Sequence, residues 1–144
     1  MAGNAEGDMC PAEDPMTRSQ AAAQPVVLVV EDEIMVRIGV TALLRERGFN
    51  VVEAGNGGEA QTLILAGVKP DLIFSDISMP GLNGVALARW AAENGLEAAI
   101  VLTSGRPDSL DEARSACPHV RAFVTKPYED DALVAQLRAV LSAG

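Results

Sequence analysis

Val26-Val27-Leu28-Val29-Val30 is apolar at every position and mostly β-branched, which suits a strand and leaves it no wet face. A strand of that kind must be covered on both sides, as happens inside a parallel sheet flanked by helices. Leu72-Ile73-Phe74-Ser75-Asp76 also suits a buried strand, apolar over its first three residues, and ends on one carboxylate, with Pro80-Gly81 shortly after to keep it from continuing. The first run ends on Glu31-Asp32-Glu33. Both strands therefore deliver acids to a carboxyl end. In an open α/β sheet that edge is where loops converge and helix N-termini aim their amides at ligands.

Between and beyond these runs the chain alternates. Ile34 to Arg47 carries Val36, Val40, Leu43 and Leu44 at helical spacing, and Gly48 stands where a left-handed helix stop would fall. Asn50 to Ala54 reads as a short second strand, and Gly55-Asn56-Gly57-Gly58 as a turn before a modest helix with Ala60, Leu63 and Ile64 on one side. After the third strand, a helix from about Asn83 to Asn94 has Val85, Ala88, Ala91 and Ala92 to bury and is closed by Gly95. Ala98 to Leu102 is a fourth strand ending on Thr103-Ser104-Gly105. The next helix, from about Ser109 to Ala116, offers only Leu110 and Ala113 as an apolar stripe, so it is expected to be the least firmly anchored element. Val120 to Val124 forms a fifth strand ending on Thr125-Lys126-Pro127, and Glu129 to about Ser142 a last amphipathic helix through Leu133, Val134, Leu137, Val140 and Leu141. Five strands alternating with five helices over residues 25–144 imply one doubly wound parallel sheet with right-handed crossovers. Residues 1–24 set Glu6, Asp8, Glu13 and Asp14 against Arg18 alone, without apolar periodicity, and read as a disordered acidic tail.

A chain of 144 residues can build one ordinary domain with its own core and is too short for two. Its formal charge of −9 leaves no basic stripe for nucleic-acid phosphates. Cys10 and Cys117 form neither a disulfide framework nor a paired metal-ligand spacing, which points to a reducing compartment. No basic start leads into an apolar leader, and no apolar run approaches the roughly 20 residues of a membrane span. A soluble cytoplasmic chain, with neither nucleic acid nor membrane as partner, is expected.

Four strand ends bring chemistry to the shared edge: Glu31 and Asp32, then Asp76, Thr103 and Lys126. Each alone has an ordinary structural role. Asp76 suits a cap or turn, Thr103 a strand terminus, Lys126 a solvated surface, and Glu31-Asp32-Glu33 the acidic first turn of a helix. Together they fit those roles less well, because converging carboxylates repel and require protons or a hard cation. Mg²⁺ suits the set, since it takes oxygen ligands, keeps several waters and is commonly shared with a phosphate. A lysine and a hydroxyl opposite it are groups that hold an anionic phosphoryl. With a carboxylate nucleophile, they describe phosphoryl transfer to an aspartate.

The ordered set of acidic pair, Asp, Thr and Lys-Pro resembles the receiver (CheY-like) domain of bacterial two-component response regulators, over residues 25–144. The resemblance implies the flavodoxin-like (βα)5 fold, in agreement with the alternation, and it implies roles by position. Asp76 is the implied phosphoacceptor. Asp32 is the implied direct ligand of Mg²⁺, with Glu31 acting nearby or through water, and Asp76 and the backbone carbonyl of Ser78 completing the protein ligands. Thr103 is implied to bond a phosphoryl oxygen, Lys126 to pair with the phosphoryl, and Lys126–Pro127 to be a cis peptide bond, which proline makes tolerable. The implied donor is a phosphohistidine on a sensor histidine kinase or a histidine phosphotransferase. The implied output is a two-state switch in which Thr103 is drawn inward, Phe123 changes rotamer, and the face of the fourth helix, fifth strand and fifth helix presents a new surface to a downstream protein. Phe123 equally suits a core aromatic on a short strand.

Asn83 stands where the family often has Asp and is expected to act on the cap of the third helix. Ser78 and Gly105, two positions beyond Asp76 and Thr103, carry no acid or amide to hold an attacking water, so unassisted hydrolysis of the acyl phosphate is expected. Arg106, Arg121 and Tyr128 are candidate partner contacts, although such arginines are commonly solvated and Tyr128 suits packing under the last helix. With no further domain after the last helix, a stand-alone regulator or a receiver cut from a hybrid kinase is expected. The alternatives are an interaction scaffold blind to phosphorylation and an aspartate-nucleophile phosphohydrolase, which would want a second acid where Ser78 stands. A nucleotide or flavin module would need a phosphate-cradling loop where Glu31-Asp32-Glu33 would repel one.

Overall fold

Five short runs pair side by side, all in parallel, in a computed structural model that describes residues 24–143. The expected acidic tail lies outside the described residues apart from Gln24. In chain order the elements are β1 (Val26–Val30), α1 (Ile34–Glu46), β2 (Asn50–Ala54), α2 (Gly57–Leu65), β3 (Leu72–Asp76), α3 (Gly84–Glu93), β4 (Ala99–Ser104), α4 (Pro107–Ala116), β5 (Ala122–Thr125) and α5 (Asp130–Ala143). The strands lie in the order β2-β1-β3-β4-β5, the flavodoxin-like doubly wound arrangement. Among the described residues, no helix is long and apolar enough to cross a membrane.

Strand alternation splits the core into two layers. Leu28, Val30, Ile73, Ile100 and Leu102 face α2, α3 and α4, meeting Ala60, Leu87, Ala88, Ala91, Leu110 and Ala113. Val27, Val29, Leu72, Phe74 and Val101 face α1 and α5, meeting Val40, Leu44, Leu133 and Leu137. All five residues of β3 are buried, as befits the middle of the sheet.

Helix ends follow local chemistry. The side chains of Asn56 and Asn83 accept from the amides of Glu59 and Ala86, each at 2.8 Å, and cap α2 and α3. Gly48 takes φ +94° just past α1, where a side chain would be strained.

Several boundaries differ from the sequence reading. β4 runs two residues beyond Leu102, because Thr103 pairs with Asp76 and Ser104 with Thr125 even though neither is apolar. α4 begins at Pro107 rather than Ser109; proline's fixed φ and missing N–H suit a first helical position. β5 begins at Ala122 rather than Val120, whose amide is turned back to the carbonyl of Cys117. On α3, Ala92 is exposed while Leu87 is buried, so the inward stripe is Gly84, Leu87, Ala88 and Ala91.

Candidate functional site

The order β2-β1-β3 makes the chain leave β1 for opposite sides, which opens a crevice at the carboxyl ends of β1 and β3. Glu31 and Asp32 follow β1 into it and Asp76 closes β3. Carboxylate oxygens of Glu31, Asp32 and Asp76 lie within 4.8 Å of one another. Glu31 and Asp76 are buried, and Asp32 is the most open of the three.

Lys126 reaches this cluster from the loop after β5, its amide bonded to the Ser104 carbonyl at 2.9 Å and its bond to Pro127 cis. Its Nζ donates to Glu31 Oε1 at 2.8 Å and lies 3.4 Å from Asp76 Oδ2. Burial lowers the affinity of Lys126 for its proton, but the bonds to Glu31 and Asp76 outweigh that and hold it above the ordinary lysine value. Burial, and next the neighbouring Glu31 carboxylate, raise the Asp76 carboxyl above its ordinary range, with Lys126 offsetting part of the effect.

Asp76 is loosely held. The Ser78 amide lies 3.4 Å from its Oδ1, so both oxygens have partners only at the far edge of bonding distance. Ser78 itself is exposed. Thr103, directly across from Asp76 in the ladder, is 2% exposed, and its hydroxyl has no partner among the described residues. A buried hydroxyl without a bond is costly in a resting protein. Phe123 sits half-buried on β5 with the Arg114 guanidinium 5.0 Å from its ring centroid.

Three ordinary roles are corrected by this geometry. Glu31, Asp32 and Glu33 precede α1, whose first turn carries no acid. Asp76 caps no helix, since Asn83 caps α3, although its Oδ1 accepts from the Ser78 amide two residues on as a turn residue does. Lys126 is ion-paired rather than freely solvated. Tyr128 packs edge-on against Phe74, ring centroids 6.0 Å apart, and burial pushes its hydroxyl up to about 12.

Two residues that the sequence reading passed over belong to the surroundings of the site. A Cβ on Gly84 would collide with the Asp76 carbonyl oxygen, so only glycine lets α3 start against the end of β3. Arg37 donates from Nη1 to the Glu31 carbonyl at 2.8 Å. A signal for it was present: a cation in the first turns of a helix opposes the dipole and implies a specific partner.

The family model of the response regulator receiver domain matches residues 27–138. The chain is 34% identical over 130 residues to the transcriptional regulatory protein PdtaR of Mycobacterium tuberculosis, covering 89% of this chain and 62% of that one. It is 30% identical over 118 residues to the protein PilH of Pseudomonas aeruginosa, covering 81% of this chain and 97% of PilH. It thus spans less than two thirds of PdtaR and nearly all of PilH. Among solved structures it resembles the response regulator TrrA of Thermotoga maritima, in complex with Mg²⁺-BeF, at TM-score 0.73 and 27% identity, covering 81% of this chain and 99% of that one.

Proposed function

Since this chain belongs to the response regulator receiver domain family, we propose that it accepts a phosphoryl group on Asp76 from a phosphohistidine and switches partner binding in response. Receiver domains are signalling modules of two-component systems rather than classical enzymes, and histidine kinases or phosphotransferases are their donors. We assign the receiver to residues 25–144, with its donor drawn from those two classes.

The supporting observation is the pairing of a loosely held, buried carboxylate with an unpartnered hydroxyl beside it. The donor set also fits Mg²⁺. Three carboxylates within 4.8 Å make a hard-oxygen cluster, and one lysine is too little charge to balance them. Asp32, Asp76 and the Ser78 carbonyl would hold the ion, with Glu31 behind them. When bound, it neutralises the carboxylates and the incoming phosphoryl oxygens.

The chain's own residues do the rest. An Asp76 oxygen attacks phosphorus, the bond from phosphorus to the donor imidazole nitrogen breaks, and that nitrogen leaves with its electron pair. Lys126, already charged beside Asp76, pairs with a phosphoryl oxygen. The Thr103 hydroxyl donates to another and so gains the bond it lacks at rest. Its displacement makes room for Phe123 to turn inward, altering the surface of α4, β5 and α5 that a downstream protein reads. Ile34, Met35 and Ile38 stand exposed on α1, beside an open groove of about 720 Å³ that Lys126 and Pro127 also line. That apolar shoulder offers a docking place for the donor.

Incubation with Mg²⁺ and a small acyl-phosphate donor, read by intact mass beside Asp76→Ala, tests this. A phosphoryl-sized gain in the parent alone is expected. No gain in the parent, including with a histidine phosphotransferase as donor, would favour a scaffold blind to phosphorylation.

A further inference from the structure

Glu31 directly follows β1 and Asp32 lies in the turn into α1, so the peptide unit between them sets where the Asp32 carboxylate starts. That unit is planar, and fixing its carbonyl fixes the Cα of Asp32 at its other end. Arg37 Nη1 donates to this carbonyl at 2.8 Å. The same guanidinium is oriented from behind, its Nε donating to Glu53 Oε1 on β2 at 3.3 Å. Gly55 leaves room for it, because a Cβ there would lie 3.3 Å from Arg37 Nη1 and 3.2 Å from Glu59 Oε1. The rest of Glu31 is held by other groups: its amide by the Ala54 carbonyl, its carboxylate by Lys126 and the Glu33 amide. Only Arg37 holds the carbonyl that leads to Asp32, among the bonds of the described residues.

We infer that Arg37 is a positioning residue for the metal site, presenting Asp32 to Mg²⁺ through the Glu31 carbonyl, an inference that rests on the reading of the acidic cluster above. Arg37 touches neither the ion's carboxylates nor the phosphoryl. Its role is separable from simple charge by sign. As a nearby cation, Arg37 repels Mg²⁺, so charge alone makes its removal tighten Mg²⁺ binding. As a positioning group, its removal frees the peptide unit and weakens binding. The pair with Glu53 is a surface one, with side chains 21% and 36% exposed, so losing it costs the fold little.

Mg²⁺ titration of the whole chain by calorimetry, for the parent, Arg37→Ala and Arg37→Lys, decides it, alongside metal-free thermal melts. About a tenfold weaker dissociation constant is expected for Arg37→Ala, the usual scale for an outer-shell partner of a metal ligand. Arg37→Lys keeps the charge but cannot hold the carbonyl and Glu53 with one fork, and it should weaken binding as well. It carries the decision alone if Arg37→Ala fails to fold. Unchanged or tighter Mg²⁺ binding in folded Arg37→Ala, or parent-like binding in Arg37→Lys, would overturn the inference while leaving the site intact. A parent that binds no Mg²⁺ would overturn the reading of the site itself, and the inference with it.

Discussion

On the β1 side of the strand edge every polar group of Glu31 is engaged, by the Ala54 carbonyl, Arg37, Lys126 and the Glu33 amide. On the β4 side the Thr103 hydroxyl is as deeply buried and has no partner among the described residues, and the helix that follows has only Leu110 and Ala113 fully buried. The contrast separates two tasks. A site for a cation and an incoming anion works best when its charged groups are already in place, so that nothing reorganises at the moment of reaction. A switch needs the opposite: an element with an unmet bond and little packing, whose equilibrium a new ligand can move by a modest free energy.

Lys126→Ala attacks the fixed side and should have the largest effect on stability. It leaves Glu31 and Asp76 facing each other with no cation, and the lost charged hydrogen bonds predict a cost of about 2 kcal/mol in metal-free urea unfolding. Mg²⁺ should restore more stability to this variant than to the parent, because it replaces the missing positive charge.

Asp76→Asn should act in the opposite direction and more weakly. Burial, then Glu31, raise the Asp76 carboxyl above 3.8. Its contribution to stability is therefore fully present below pH 3.8 and is lost as pH rises through the raised value. At neutral pH without metal the charged carboxylate costs the parent stability, so Asp76→Asn should unfold at higher urea. The advantage should shrink as pH falls toward and below the raised value, and Mg²⁺ should reverse it by stabilising the parent.

Thr103→Val should have the smallest effect at rest. The hydroxyl it removes is buried without a partner among the described residues, so metal-free stability should not fall and should rise by about 1 kcal/mol. The same substitution should weaken the response to a phosphoryl mimic. A resting loss of the size expected for Lys126→Ala would mean that Thr103 is bonded after all and that the two sides are built alike.

The fixed side was the more legible of the two in the sequence. Val26–Val30 is apolar throughout and leads into acids, and β3 is apolar from Leu72 to Phe74 and ends on Asp76, which places both strands and their chemistry without reference to anything distant. Less legible was whatever depends on pairing between strands. Thr103 and Ser104 read only as the polar terminus of the fourth strand until Asp76 and Thr125 are seen beside them in the ladder. Gly84 passes unnoticed at the start of the expected third helix, and its close approach to the Asp76 carbonyl exists only once α3 has packed. The partners of Lys126 could not be read either: its position implied a phosphoryl, whereas at rest it is tied to Glu31 across 95 residues of chain.

The most direct test of this division follows backbone amide resonances while Mg²⁺ is added first and beryllofluoride, a phosphoryl mimic, second. With Mg²⁺ alone, shifts should be confined to the β1–α1 turn and the end of β3. With beryllofluoride they should spread to Thr103–Gly105, α4 and Phe123, with little further change at Glu31 and Asp32. Large rearrangement around Glu31 in the second step, with Thr103 and α4 unmoved, would contradict a fixed acid side and a poised hydroxyl side.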